Sequence, residues 1–477
     1  MIDIQLLISF IIYFASLLTI GIVFYRKNQT VKNYVIGNRS LNYWVTAISA
    51  QSSDMSSWLF MGYPALVFTL GAMQLWTAVG LVTCMYLNWQ FIAPVLRAQT
   101  EKFNALTIPT YLAKRFNDQS NLIIMISTLA CAYFFTCYIS SGLVGMGKLF
   151  ESAFNLPYTT GVLVGIGITL IYTLLGGFLA VSWCNLFQGL FLLAMIILVP
   201  FKGYLAVGGW SVIKLAALNK NISLVIWPSF GQALKKVLIL FGGFGIGTFG
   251  QTHILVNFMG IKDARKLKNA MIVGIIWQII ALSSSIILGV VAIAYFKNGL
   301  SNSEHLFVYM ARDLFPPLIA GFALCGMLAA TLSTLNTQLM VAASGLSEDL
   351  YPIFSKQKPT ILISRLATTL IALISLIIAL QNNSSIYDLV HYAWSGLGCT
   401  MGPAIISALY FKNANKNGII WGMLCGAIIA ITWVLTGFDQ TIPTLIVGMG
   451  VNFVCIIFCS KLPKKTKLVD LIVTYNR

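Results

Sequence analysis

The chain has 477 residues, of which 58% are hydrophobic and only 9% charged. A soluble domain carries roughly 25% charged residues, so this chain lacks the polar skin that a water-soluble protein of its size requires. That excludes a soluble enzyme, a disordered chain and a secreted disulfide scaffold, and leaves a polytopic membrane protein. The net charge of +17 fits cationic loops held on one membrane face. A nucleic-acid ligand would need those charges gathered in one patch, and they are scattered.

Apolar runs of about 20 residues are long enough to cross a bilayer. Thirteen spans are predicted, at 4–25, 42–70, 73–96, 121–147, 158–180, 186–207, 233–256, 270–296, 317–345, 362–380, 387–411, 417–436 and 441–460. The first has Asp3 before it and Arg26-Lys27 after it. A cleavable signal peptide would carry its basic residues first, so this span is expected to remain as an anchor with the N-terminus outside. Alternating crossings then put 22 of the 30 Lys and Arg residues inside and eight outside. That bias predicts a cytoplasmic C-terminus in a plasma (inner) membrane protein.

The second span is unusual. Residues 49–58 read Ser-Ala-Gln-Ser-Ser-Asp-Met-Ser-Ser-Trp, with Asp54 in the middle. A charge at mid-bilayer costs ~2.5–3.5 kcal/mol, and such residues usually face a cavity or a partner. The segment is either a polar helix packed inside a bundle or a helix that unwinds midway, its freed backbone lining a site. The seventh span holds five glycines between Gly242 and Gly250. They imply a break or very close helix packing. The match of Gly245–Gly250 to a dinucleotide-binding glycine pattern lacks the strand that pattern needs.

Two interruptions five spans apart point to a transporter built from inverted repeats, with its site at the midplane. Spans two to six (42–207) form the first repeat and spans seven to eleven (233–411) the second. Residues 1–41 supply one extra N-terminal helix and its loop; residues 412–477 supply two peripheral helices and a tail. In the ninth span, Ala330, Ser333, Thr334 and Thr337 share one helical face. Their hydroxyls either pack helices or offer oxygens to a hard cation. Carbonyls near Ser52 and Met55 would complete a weak cage for sodium.

The nine cysteines lie in or beside apolar stretches, without a CxxC pair, and read as buried small residues. His253, His305 and His391 are the only histidines, too few and badly spaced for haem or catalytic zinc. The chain is expected to be no enzyme, to need no organic cofactor and to have no obligate protein partner.

Several stretches together resemble the sodium/solute symporter family, and its sodium/proline symporter branch most of all. They are Gly37-Asn38-Arg39-Ser40-Leu41, Ser53-Asp54-Met55-Ser56 through Trp58, Asn104-Ala105-Leu106-Thr107, 176–183, Phe249-Gly250-Gln251, Leu332-Ser333-Thr334-Leu335 and Glu348-Asp349-Leu350-Tyr351. The resemblance implies a LeuT-like 5+5 inverted repeat and sodium as the coupling ion. It implies a sodium site made of the carbonyls of Ser52, Met55 and Ala330 and the hydroxyls of Ser333 and Thr334, with Asp54 in support. Arg39 is similar to the family's cytoplasmic basic residue involved in coupling. Trp58 and Tyr138 match aromatic positions at the solute site; Ser56, Ser57, Phe244, Thr248 and Thr337 are further candidates for solute contact. The chain departs from the branch at Ser57 (there glycine), Phe244 and Thr248 (Trp and Tyr), Thr252 (proline) and Asn185 (a carboxylate). The expected function is import of proline or a related amino acid with sodium. Another small organic solute, or proton coupling through Asp54, is the alternative.

Overall fold

The computed structural model describes residues 3–25, 31–227, 233–381 and 385–461. The basic residues expected at 26–27 and 464–477 lie outside that set. Among the described residues the chain is helical, with one isolated β-bridge between Leu41 and Ile261. The long helices are α1 Ile4–Tyr25, α2 Tyr43–Met55, α3 Gly62–Leu70, α4 Leu75–Leu87, α5 Leu122–Phe154, α6 Tyr158–Val207 and α7 Ala233–Phe244. They continue as α8 Thr252–Gly260, α9 Leu267–Tyr295, α10 Pro317–Ser344, α11 Ile361–Leu380, α12 Ile386–Tyr410, α13 Lys416–Leu435 and α14 Thr444–Lys461.

Among the described residues, nine helices are long and apolar enough to cross a membrane, or ten if the bent pair α7–α8 is one span. A count of thirteen crossings is not reached by that measure. The other expected spans are helical but interrupted (α2–α3), short (the first part of α6) or more polar (α12). The fifth and sixth spans, expected to part near 181–185, instead divide inside α6 at Gly177, where φ is 56° and ψ −176°. A side chain would clash there, and glycine has none.

The two broken spans run antiparallel. The Leu41 amide donates to the Gly260 carbonyl at 3.1 Å and the Lys262 amide to the Leu41 carbonyl at 2.8 Å. Further along, Ser49 Oγ donates to Asn257 Oδ1 at 2.8 Å. The start of α2 therefore meets the end of α8, as an inverted repeat requires.

Loop contacts define two ends of the bundle. At one end Arg97 donates to the Ile261 carbonyl, Thr107 to Asp349, Arg115 to the Ala408 carbonyl and Lys416 pairs with Asp118. At the other Lys148 pairs with Glu304, Arg312 donates to the Ser152 carbonyl and Lys220 to those of Ile293 and Phe296. These sets match the two loop groups that alternate crossings separate. Burial works against ionisation of Asp118, but Lys416, Ser120 and the Ile123 amide outweigh it and hold its carboxyl below the usual range.

The glycines around residue 245 serve both purposes expected of them. Residues 245–250 form a tight 3-10 turn between α7 and α8, and the glycines also admit neighbouring backbones. A Cβ on Gly250 would stand 2.5 Å from the Leu397 carbonyl oxygen and 2.8 Å from Gly398 Cα. Neither atom can swing aside, so Gly250→Ala should cost roughly 1–3 kcal/mol through overpacking. The control is Gly167→Ala, where a Cβ would meet nothing within 4 Å. Thermal unfolding in detergent should show a lower melting temperature for the first variant and no loss for the second.

Candidate functional site

The helix α2 ends at Met55 because Ser56 adopts φ 48° and ψ −170°. A break inside an apolar bundle strands backbone groups that no water can satisfy. The freed Ser56 amide is caught by Thr334 Oγ1 of α10 at 2.9 Å. Thr334 Oγ1 in turn lies 3.1 Å from the Ala330 carbonyl oxygen. Ser333 Oγ lies 2.8 Å from the Ser52 carbonyl oxygen and 3.0 Å from that of Ala330. All these residues are buried.

Four of the five expected ion-binding oxygens are thus in one cluster. The fifth, the Met55 carbonyl, shares its peptide with the Ser56 amide. No cis bond occurs among the described residues, and a trans peptide points its C=O opposite to its N–H. With the N–H aimed at Thr334, the Met55 carbonyl is directed away from that hydroxyl.

Beside the break lies a small cavity of about 10 Å³ lined by Asp54, Met55, Trp58, Leu81, Tyr138, Phe244, Val390 and Trp394. That is room for about one water molecule, so the side chains must part before a solute enters. Trp58 stacks on Tyr63 with centroids 4.6 Å apart and meets Phe244 at 5.6 Å. Two polar atoms from this wall, Asp54 Oδ1 and Trp58 Nε1, are buried without a hydrogen-bond partner. Tyr138 Oη is 3.5 Å from the Asp54 carbonyl.

Four of the predicted solute contacts are not on this wall. Ser56 Oγ accepts the Trp58 amide at 3.2 Å. Ser57 packs on α5, where a Cβ on Gly145 would meet its side chain at 2.7 Å. Thr248 Oγ1 donates to the Gly245 carbonyl at 2.7 Å, inside its own turn. Thr337 Oγ1 donates to the Ser333 carbonyl at 2.8 Å and takes a bond from Asn185.

Asn185 is the residue whose role the sequence concealed. Its Nδ2 donates to Ser49 Oγ at 3.1 Å and Thr337 Oγ1 at 2.9 Å, and its carbonyl accepts Ser52 Oγ at 3.0 Å. It ties α2, α6 and α10 together directly beneath the break. The sequence marked it only as a departure from the branch, between two expected spans; the structure places it inside α6. Trp394 was also missed: its indole donates to the Phe244 carbonyl at 2.9 Å and fixes that ring against the cavity. Behind the ring stands His391, centroids 5.0 Å apart, with its Nδ1 3.4 Å from Asp439 Oδ2.

Arg39 lies away from the cavity, at the end where α8 stops. Its guanidinium donates to the Met259 carbonyl at 2.9 Å and the Ala105 carbonyl at 3.0 Å. Burial and the nearby Arg97 lower its pKa to about 10, with Glu101 opposing, so it remains a cation at neutral pH.

An antiparallel pair of broken helices, with an aromatic cavity and an oxygen cluster at the break, defines a membrane transporter rather than an enzyme. Residues 34–426 match the sodium:solute symporter family. The osmoregulated proline transporter OpuE of Bacillus subtilis is 38% identical over 97% of this chain and 96% of its own length. The sodium/proline symporter of Salmonella typhimurium is 36% identical over 93% and 91%. A sodium-coupled sialic acid symporter has the same fold, with a TM-score of 0.83 at 18% identity over 97% of this chain and 98% of its own. The chain belongs to the sodium:solute symporter family, and its fold is the LeuT-like inverted repeat.

Removing the Thr334 hydroxyl would leave the buried Ser56 amide unpaired, at a cost of about 1–3 kcal/mol. Thr334→Val should therefore lower the melting temperature in sodium-free buffer, whereas Thr334→Ser, which keeps the acceptor, should not.

Proposed function

We propose that this chain imports a small zwitterionic amino acid, proline before others, together with sodium. The observation that carries the ion site is the meeting of Ser333 Oγ and Thr334 Oγ1 with the carbonyls of Ser52 and Ala330 at a broken helix. A hard cation prefers such oxygens. Sodium there replaces hydroxyl hydrogens as the partner of two carbonyls and turns the Met55–Ser56 peptide so that its carbonyl joins the set. That rotation moves the segment carrying Trp58, which is how ion binding reaches the solute cavity. Asp54 supports the ion from the same segment.

The solute reading rests on the cavity and on the relatives. The unpartnered Asp54 carboxylate oxygen and Trp58 indole N–H complement an ammonium and a carboxylate. Trp58, Tyr138 and Phe244 cover the apolar body. The two curated relatives above are named for proline, and both align over nearly their whole length.

The orientation follows from charge: the Arg39 end faces the cytoplasm and the N-terminus lies outside. The repeats at 42–207 and 233–411 rock about the central site, and Arg39 holds the cytoplasmic side shut until they do. One positive charge falling through ~100 mV supplies ~2.3 kcal/mol. A tenfold sodium gradient adds ~1.4 kcal/mol. Together they support a several-hundredfold accumulation of a neutral solute at one-to-one coupling.

The test is uptake of labelled proline, other amino acids and organic acids by purified protein in liposomes. Proline uptake should require an inward sodium gradient. Ser333→Ala should raise the half-saturating sodium concentration about tenfold, the equivalent of ~1.4 kcal/mol. Unchanged sodium dependence in Ser333→Ala and Thr334→Ala would sink the ion site. Uptake that survives without sodium but collapses with a proton ionophore would transfer the coupling role to Asp54. Preference for an organic acid would reject the zwitterion.

A further inference from the structure

A second cavity lies between the solute site and the Arg39 end. Its volume is about 30 Å³, and Thr107, Thr128, Cys131, Thr252, Ser344 and Gly345 are on its wall. Both cavities share α5: Tyr138 serves the upper one and Cys131 the lower, seven residues or about 10 Å along the helix. His253 separates them, its ring 5.5 Å from Phe135 and 6.1 Å from Tyr138. Met259 forms part of the lower wall, and its carbonyl is the one Arg39 holds. The lower cavity is therefore a chamber between the central site and the Arg39 contact.

Its polar groups are not spent on one another. Thr128 Oγ1 and Ser344 Oγ are buried with no hydrogen-bond partner, in residues 1% and 4% exposed. Asp349, 3% exposed, has one oxygen engaged and one free. Its Oδ1 accepts the hydroxyls of Thr107 at 2.7 Å and Thr110 at 2.5 Å, while Oδ2 has no partner. Gly345 is the gap between them. A Cβ built on it would lie 3.0 Å from the Thr128 methyl, 3.8 Å from Thr128 Oγ1 and 3.9 Å from Asp349 Oδ2. Thr128 Oγ1 and Asp349 Oδ2, buried and unmatched, thus flank the position of Gly345. The unmatched Ser344 Oγ belongs to a residue of the same cavity wall, and Asp349 stands just behind that wall, bonded to its Thr107.

Resting on the sodium-symport reading above, we propose that this chamber is a second, transient sodium site on the ion's path to the cytoplasm. Asp349 Oδ2, Thr128 Oγ1 and Ser344 Oγ are its oxygens. The composition suits release. One carboxylate attracts the cation out of the neutral Ser333–Thr334 cluster, and three protein oxygens are too few to replace a full hydration shell. The ion passes on once Arg39 lets go of Met259 and Ala105 and water enters.

The experiment compares the two faces of the membrane. Sodium-dependent proline transport is measured in right-side-out and inverted membrane vesicles carrying the full chain. Asp349→Asn keeps the shape and an acceptor for Thr107 and Thr110 but removes the charge. It should raise the half-saturating sodium concentration about tenfold from the cytoplasmic face and leave the outer face unchanged. Thr128→Val and Gly345→Ala, which delete an unpartnered hydroxyl and fill the gap, should shift the same face in the same direction. They keep the proposal testable if Asp349→Asn does not fold. An equal shift on both faces, or none on either, overturns the site. A change confined to the cytoplasmic KM for proline also overturns it and assigns the chamber to the solute's ammonium group. Neither result touches the central ion site, which stands or falls on Ser333→Ala measured from outside.

Discussion

The unpaired backbone at Ser56 is the constraint on which this architecture depends. Within an apolar bundle a broken helix is tolerable only where another element supplies the missing partners. Here α10 supplies them, through Thr334 to the Ser56 amide and Ser333 to the Ser52 carbonyl. The same requirement gives the site its chemistry. The groups that satisfy this break are hydroxyls, and oxygens gathered around the end of a helix are what a hard cation needs. The structural demand and the proposed ion site draw on one arrangement of oxygens. Packing and ion binding were rival readings of the Ser333–Thr334 face, and the contacts show why they need not compete.

The second repeat meets the same constraint differently. Its break at residues 245–250 is a run of small residues in a 3-10 turn. Its polar needs are met by Thr248 within the turn, by Asn88 Nδ2 to the Thr248 carbonyl at 3.1 Å, and by Gln251 to the carbonyls of Gly247 and Trp394. The turn brings backbone against backbone on both sides, which is what the glycines permit. One break is thus held by hydroxyls and the other by close packing and amides. The hydroxyl-held break is the one whose bonds an ion could exchange for its own, which is why the proposed ion site is placed at the second span.

Much of this was legible in the sequence because the medium is so restrictive. In a chain with so few charges, Asp54 and the hydroxyls around it stand out, and the five glycines of the seventh span are equally conspicuous. What sequence did not reveal is lateral. Asn185 gains its meaning from Ser49, Ser52 and Thr337, none of which is near it in the chain. Leu81, Val390 and Trp394 line the solute cavity yet look like any apolar residue of a span. The hydroxyls of Ser56, Thr248 and Thr337, which flank the breaks, are engaged by local backbone or by Asn185, whereas that of Ser57 is buried without a partner against α5. The division of α6 at Gly177 was displaced because hydropathy falls slowly there, whereas the chain turns on a single glycine.

The departures from the proline branch can be weighed by where they sit. Ser57 faces Gly145 of α5 and Thr248 bonds within its own turn, so neither touches the cavity wall. Asn185 lies beneath the break, among hydroxyls, where an amide can donate twice and a carboxylate cannot donate at all. Both its donors are used, while its Oδ1 is buried without a partner. Only Phe244 alters the wall itself. It offers no polar tip, and its ring is backed by Trp394, Tyr387 and His391. On the proposed reading, the unpartnered groups on this wall that would meet the solute's polar ends are those of Asp54 and Trp58, and flat rings would meet its apolar body. A compact solute with a small apolar ring or chain and no polar side group meets that demand without leaving a buried donor unpaired. A solute with a polar side chain would face Phe244, where nothing can receive it.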